Sequence, residues 1–368
     1  MMNRITTYLL IILPAALSFN CNLGNSITTN CYCQITVDQK YAIIGTYPVE
    51  GTKAADINHY RFSYDKKNRL QKIEYFRKGT LHKDKYFNTA IISFEYGNNY
   101  ELRYYKDENE NIAENKYGFY SEKIIYKKNM LEIIKYDNHQ NIVEDSLGVS
   151  IYFNELNDDG LIKSYANHDA SGNPILDKNG VYEIKYKYDP EVYAEDAIEM
   201  SFHDLHGNLI ESRDDGVAAA KFSYDKFGNI TKILSFNKSG EPLNSGEAIV
   251  RMKYDSGGNM IQINSSNSKD QLNIIFKFDE DGNIVEQYFF GDNGELQANQ
   301  EWGDCAIIQN VFDKSGRLIE RRCYGPDSCL TISSDWDCPI VQIFYDDNGV
   351  AIGKKEVHIN EKLKIDPK

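Results

Sequence analysis

The sequence predicts an all-β fold, an elongated and curved meander of repeated antiparallel β-hairpins. Three observations carry this: one turn motif returns throughout the chain, a second turn follows it at a fixed step, and hardly any segment has a helical period. The motif is clearest in Tyr224-Asp225-Lys226-Phe227-Gly228-Asn229, Tyr254-Asp255-Ser256-Gly257-Gly258-Asn259, Phe278-Asp279-Glu280-Asp281-Gly282-Asn283 and Phe312-Asp313-Lys314-Ser315-Gly316-Arg317. Looser copies sit at Tyr64-Asp65, Tyr136-Asp137 and Tyr345-Asp346. Asp at the first turn position accepts hydrogen bonds from the backbone ahead of it, and Gly at the fourth takes positive φ without a Cβ penalty. Together they specify a type I turn closed by a left-handed residue, a common hairpin loop.

The second turn lies twelve residues on: Asp225 leads to Asn237-Lys238-Ser239-Gly240, Asp279 to Gly291-Asp292-Asn293-Gly294, Asn157 to Asp169-Ala170-Ser171-Gly172 and Asp313 to Gly325-Pro326-Asp327-Ser328. Asp255 to Asn267 keeps the step. Each step leaves about eight residues of strand, roughly 26 Å of extended chain. Within the strands the alternation is interrupted, as in Ile230-Thr231-Lys232-Ile233-Leu234-Ser235-Phe236 with charge at the third place. A tight two-sheet sandwich calls for a cleaner period of two. The 27 tyrosines suit half-buried faces, where a ring packs and its hydroxyl stays wet. These two points favour an open meander over a compact barrel.

The Tyr-Asp-x-x-Gly-Asn pattern, followed by an apolar residue, resembles the YD repeats of the bacterial RHS family over residues 55–350. Gly172-Asn173-Pro174, Gly240-Glu241-Pro242 and Gly246-Glu247-Ala248 resemble MORN-like hairpin repeats of bacterial envelope proteins. The resemblance implies hairpin shells or spirals that enclose, present or bind other molecules and perform no catalysis. The chain departs from the RHS pattern in spacing, with 30 residues from Tyr224 to Tyr254, 24 on to Phe278 and 34 to Phe312. It also lacks the long repeat tract and the effector domain of a polymorphic toxin.

Residues 1–20 read as an export signal: Arg4 supplies a basic start, and Tyr8 to Leu17 form a short apolar run. Leu17-Ser18-Phe19-Asn20-Cys21 resembles a bacterial lipobox, which implies diacylglycerol on Cys21 and a membrane anchored through lipid. Asn20 departs from the small residue usual there, and Leu17 stands one place further from the cysteine than usual. Ala16 and Ser18 instead fit ordinary cleavage, giving a periplasmic or secreted chain. Residues 21–50 are expected to form a tether and 51–368 the repeat domain, one quasi-linear unit. No later stretch approaches the about 18 apolar residues of a membrane span.

Six cysteines remain after Cys21: Cys31, Cys33, Cys305, Cys323, Cys329 and Cys338. An even number in an exported chain points to disulfides. The last four crowd beside Trp302 and Trp336, where Leu330 to Pro339 breaks the repeat, and the expectation is a stapled C-terminal cap over about residues 300–345. No Cys-x-x-Cys pair supports zinc. His203 and His206 fall within a turn whose positions are taken by Asp204 and Gly207. Asp107, Asn109 and Asn111 imitate the start of a calcium loop, but Ile112 and Gly118 stand where Gly and Glu are needed. Neither a Gly-x-Ser-x-Gly elbow nor a phosphate loop is present in a convincing context, so no catalysis and no cofactor are expected.

A net charge of −14 excludes a general nucleic-acid binder. The sequence therefore predicts an exported, lipid-anchored envelope protein, at the outer membrane or cell surface, that binds or scaffolds a protein or glycan partner. The alternative is an accessory of a toxin or secretion system: a shell, a chaperone or an immunity-like protein.

Overall fold

A computed structural model describes residues 28–50, 52–189, 193–225, 227–243, 249–266, 271–279, 282–314, 316–346 and 351–358. The export segment 1–20, Cys21 and the second turn expected at Asn267 lie outside the described residues. The fold is an antiparallel β meander whose described helical content is a single 3-10 turn, Gln300–Trp302. No helix among the described residues is long and apolar enough to cross a membrane. The chain forms two compact units, residues 2–243 and 244–368, where an unbroken array implies one.

The first unit holds β1 (Thr28–Val37), β2 (Ile43–Val49), β3 (His59–Tyr64), β4 (Leu70–Arg77), β5 (Thr80–Leu81), β6 (Ile91–Tyr96), β7 (Tyr100–Lys106) and β8 (Ser121–Lys127). It continues with β9 (Met130–Tyr136), β10 (Ile151–Leu156), β11 (Ile162–His168), β12 (Glu183–Asp189), β13 (Tyr193–His203), β14 (Ala219–Tyr224) and β15 (Ile230–Phe236). Strand β1 pairs with both β2 and β3, the short β5 flanks β4, and from β6 onward each strand pairs with the next. The second unit holds β16 (Ile249–Tyr254), β17 (Met260–Ser266), β18 (Gln271–Phe278), β19 (Ile284–Phe290), β20 (Ile307–Phe312), β21 (Leu318–Tyr324), β22 (Ile340–Tyr345) and β23 (Ala351–Val357), paired in chain order.

The expected tether is corrected from residue 28 onward. Tyr32, Ile35, Val37 and Ile43 are buried in the first unit's core with Phe62, Ile73 and Phe94, so burial of an apolar face makes 28–49 a hairpin of β1 and β2. The broken alternation also has a structural cause. In β15 the register slips between Ser223 and Tyr224: Ser223 pairs with Lys232 and Tyr224 with Ile230, leaving Thr231 as a bulge. The bulge puts Ile230 and Ile233 on one face and Lys232 on the other. Leu70, Met260, Ile284 and Leu318 follow the same slip in their strands.

The strands are joined by three turns per repeat. Between the second turn and the next strand the chain makes one bridge, such as His168 to Pro174, and then turns again. This third turn spans Asn115–Phe119, Asp145–Val149, Asp177–Val181, Ser212–Val217, Asn299–Cys305 and Ser333–Cys338. Leu330 to Pro339 is therefore no break in the repeat: Tyr324 bridges Leu330, and Ser333 opens the third turn as Asp177 does. Asp137 belongs to a second turn, since Tyr136 bridges Ile142 and Asp145 opens the turn that follows.

Candidate functional site

The first turns satisfy their own polar groups. Asp225 N donates to Asn229 O at 2.9 Å and Gly228 N donates to Asp225 O at 3.0 Å. Asp225 Oδ1 accepts from Phe227 N and Asn229 N, and Asn229 Nδ2 donates to Oδ2 at 2.9 Å. Gly228 has φ 78°, which explains its residue type. Asp255 with Gly258, Asp279 with Gly282 and Asp313 with Gly316 repeat this bonding. Such turns shape the array and leave no carboxylate oxygen unbonded for a ligand. At Asp107, Oδ1 likewise accepts from Asn109 N and Asn111 N. His203 lies on β13 with Nδ1 3.1 Å from Gly207 O and Nε2 3.0 Å from Ser201 Oγ, while His206 is exposed in the turn. Among the described residues no group of three or more His, Cys, Asp or Glu is placed to hold a metal ion.

Of the late cysteines, Cys305, Cys323 and Cys338 are buried and Cys329 is not. Cys305 and Cys323 form a disulfide with Cα atoms 5.3 Å apart, joining a third turn to β21. Cys338 occupies the place of Cys305 one repeat later, is buried, and donates to Ile340 O at 3.0 Å; burial pushes its thiol up. Cys329 is half-buried beyond the second turn, Cys31 is buried in β1 and Cys33 half-buried there. Trp302 and Trp336 hold equivalent places just before the last residues of successive third turns, and both pack on the core of Phe289, Ile308, Cys305 and Cys323.

Sequence reading missed the buried ionic network in the first unit. Arg103, 2% exposed on β7, donates through Nε to Glu101 at 2.5 Å, through Nη1 to Glu122 at 3.3 Å and through Nη2 to Tyr41 O at 2.6 Å. Burial acts to lower its pKa, but Glu101 and Glu122 outweigh that and hold the guanidinium above its ordinary value. Tyr41 and Tyr105 donate their hydroxyls to Glu122 at 3.0 and 2.9 Å. One repeat on, Lys135 pairs with Asp145, which also accepts from Tyr152 Oη at 2.7 Å; burial pulls the Lys135 ammonium down despite that carboxylate.

Tyr41 sits in the turn between β1 and β2 with φ 63°, the place Gly holds in other turns. A bulky residue there costs about 1–2 kcal/mol, which the bonds to Arg103 and Glu122 offset. The same turn reaches further: Gln39 O accepts from Ile162 N at 2.8 Å, and Tyr188 Oη donates to Gln39 Oε1 at 2.7 Å. Asn229 Nδ2 donates to Tyr47 Oη at 2.5 Å, and Tyr47 lies 6.4 Å from the Phe227 ring. The first unit's sheet thus curves until its N-terminal hairpin touches β7, β8, β11, β12 and the turn before β15.

Four exposed aliphatic side chains lie in or close after successive second turns of this unit, Ile112 and Ile142 just past the turn, Leu176 two places further on and Leu205 within it. Ile112 is 46% exposed and Leu205 47%.

No family model matches the chain, and no curated protein matches it. Among solved structures it is similar to a chain of the Photorhabdus luminescens Tc holotoxin pore, with 11% identity and a TM-score of 0.29 over 87% of this chain and 20% of that one. A TcdB2–TccC3 chain gives 10% identity and a TM-score of 0.22 over 88% of this chain and 23% of that one. Hsv2 of Kluyvelomyces marxianus gives 10% and 0.20, with 90% of this chain and all of that one covered. The chain thus spans about a fifth of the length of the two toxin chains. Likeness at this level carries no argument about function.

Proposed function

We propose that this chain is an exported hairpin-repeat module, anchored through lipid on Cys21 at the cell envelope, that acts by binding a protein partner and carries no catalytic step. The observation behind the binding role is that Ile112, Ile142, Leu176 and Leu205 are exposed in or close after four successive second turns. Side chains spaced by an array favour an extended partner contacting several repeats at once. The self-satisfied turns hold them in register. Lipidation rests on the sequence Leu17 to Cys21.

The test combines intact mass of protein taken from envelopes with photo-crosslinking from a benzoyl-phenylalanine at position 142. A mature chain starting at acylated Cys21, with a discrete adduct lost in the Ile112→Ser/Leu176→Ser/Leu205→Ser background, supports the reading. An unprocessed chain in the soluble cytoplasmic fraction defeats it.

A further inference from the structure

Each strand that ends at a second turn carries an inward residue two places before its penultimate partner in the column. Arg103 stands two places before Tyr105 on β7, and Arg321 stands two places before Cys323 on β21. The two arginines are thus the same repeat position in different units, with different surroundings. Arg103 faces Glu122 across the ladder, and the turn carrying Tyr41 covers it. Arg321 faces Asn310, whose Oδ1 accepts from Nε at 2.9 Å while its Nδ2 is held by Ile284 O.

Among the described residues Arg321 makes no ion pair. Its only acidic influence, Asp335, is exposed, and burial lowers the guanidinium's pKa more than Asp335 raises it. The guanidinium lies over the Trp336 ring, 5.9 Å from its centre, and Trp336 Nε1 is a buried donor with no partner among the described residues. Among the described residues the guanidinium thus has the Asn310 oxygen but no carboxylate, and the indole N–H beside it is left unpaired, which is costly unless something completes it.

We propose that Arg321, Asn310 and Trp336 form a binding site for the carboxylate of a Glu or Asp side chain on a partner peptide. A carboxylate matches the fork of the guanidinium that lies over the Trp336 ring. A singly charged group suits a site beside Asp335 in a chain of net charge −14 better than a phosphate dianion. The peptide class has a precedent inside the molecule: at the equivalent Arg103 the occupant is a hairpin turn, giving its Tyr41 carbonyl to the guanidinium. This inference deepens the binding role proposed above and rests on it.

Trp336 shares the chain with one other tryptophan, Trp302, so in a Trp302→Phe background the indole emission reports on this site. The full chain, disulfide intact, is titrated with acetyl-Ala-Glu-Ala-amide, its Gln counterpart, glucuronate and inorganic phosphate. The Glu peptide should shift the emission saturably, and the Gln peptide and Arg321→Gln should each weaken it about tenfold or more. Arg321→Lys keeps the charge without the fork and should fall between; circular dichroism confirms that each variant is folded. A response equal for Glu and Gln peptides, or unchanged in Arg321→Gln, or absent up to about 50 mM, overturns the site. Tighter saturation by glucuronate or phosphate overturns the peptide assignment. None of these results bears on crosslinking at position 142, so failure here and failure of the envelope reading are separate.

Discussion

Replacing Arg103 by Met separates structural charge from mere volume. Met fills a similar space, but it leaves Glu101 without its guanidinium and strips Glu122 of a cation. Glu122 keeps the hydroxyls of Tyr41 and Tyr105, so the loss falls mainly on charge compensation and on Tyr41 O. Breaking one partner of a buried ionic group costs about 3–5 kcal/mol. Against a typical total of about 5–15 kcal/mol that is a large fraction. Arg321→Met, at the same repeat position, strands no buried carboxylate and removes one donor from Asn310, so it should cost only about 1 kcal/mol. Urea unfolding followed by circular dichroism at 25 °C compares them, with equal slopes required for the comparison. Arg103→Met/Glu122→Gln should recover part of the loss, because the second change removes a charge the first left bare. Equal midpoints for Arg103→Met and Arg321→Met, or strictly additive losses in the double variant, would refute the argument.

Three further outcomes follow from the turns and the disulfide. Asp137, Asp169 and Asp204 have lowered pKa values, first from the side chains of Asn141, Asn173 and Asn208 and then from those residues' backbone amides. Their contribution is thus present above the unfolded carboxylate value of about 3.9 and lost as pH falls through the lower folded values; the urea midpoint should drop there, and less steeply when all three are Asn. Gly228→Ala, at φ 78°, should cost about 1–2 kcal/mol, whereas Gly257→Ala should be nearly neutral, since an added Cβ there meets Asp255 Oδ1 at 3.4 Å and Asn259 Nδ2 at 3.6 Å, both ordinary contacts; calorimetry ranks the two. Cys323→Ser opens the loop closed over a sequence separation of 18, a loss of about 3 kcal/mol on loop entropy, and non-reduced against reduced unfolding of the wild type should show the same gap.

What the sequence disclosed follows the range over which each element is stabilised. The first turns were legible because Asp225, Gly228 and Asn229 bond one another within five residues, so the motif carries its own cause. The third turns were passed over because their opening residue varies among Asn115, Asp145, Ser212 and Ser333. A signal existed: each opens eight residues after the second turn, as Asp107 to Asn115, Asp137 to Asp145 and Gly325 to Ser333 show. The β1–β2 hairpin was read as a tether because Tyr41 replaces the expected Gly, and what holds it, Arg103 and Glu122, lies 62 and 81 residues away. The Cys305–Cys323 pairing was likewise out of reach, since the column that joins them exists only once the repeats stack.

Moving residues 28–49 from tether to sheet changes what a lipid on Cys21 would do. A tether running to residue 50 would let the array stand well away from a bilayer. With Thr28 already paired to Tyr64, Cys21 lies only seven positions before a paired strand, a reach of at most about 25 Å. The β1 end of the first unit would then be held near the headgroups, leaving the exposed Ile112 and Ile142 as the surface a partner meets. In liposomes bearing the lipidated protein, a fluorophore at Thr28 should be quenched strongly by headgroup spin labels and one at Ile142 less. Equal quenching at both positions, or none at Thr28, would mean that the short link does not set the geometry.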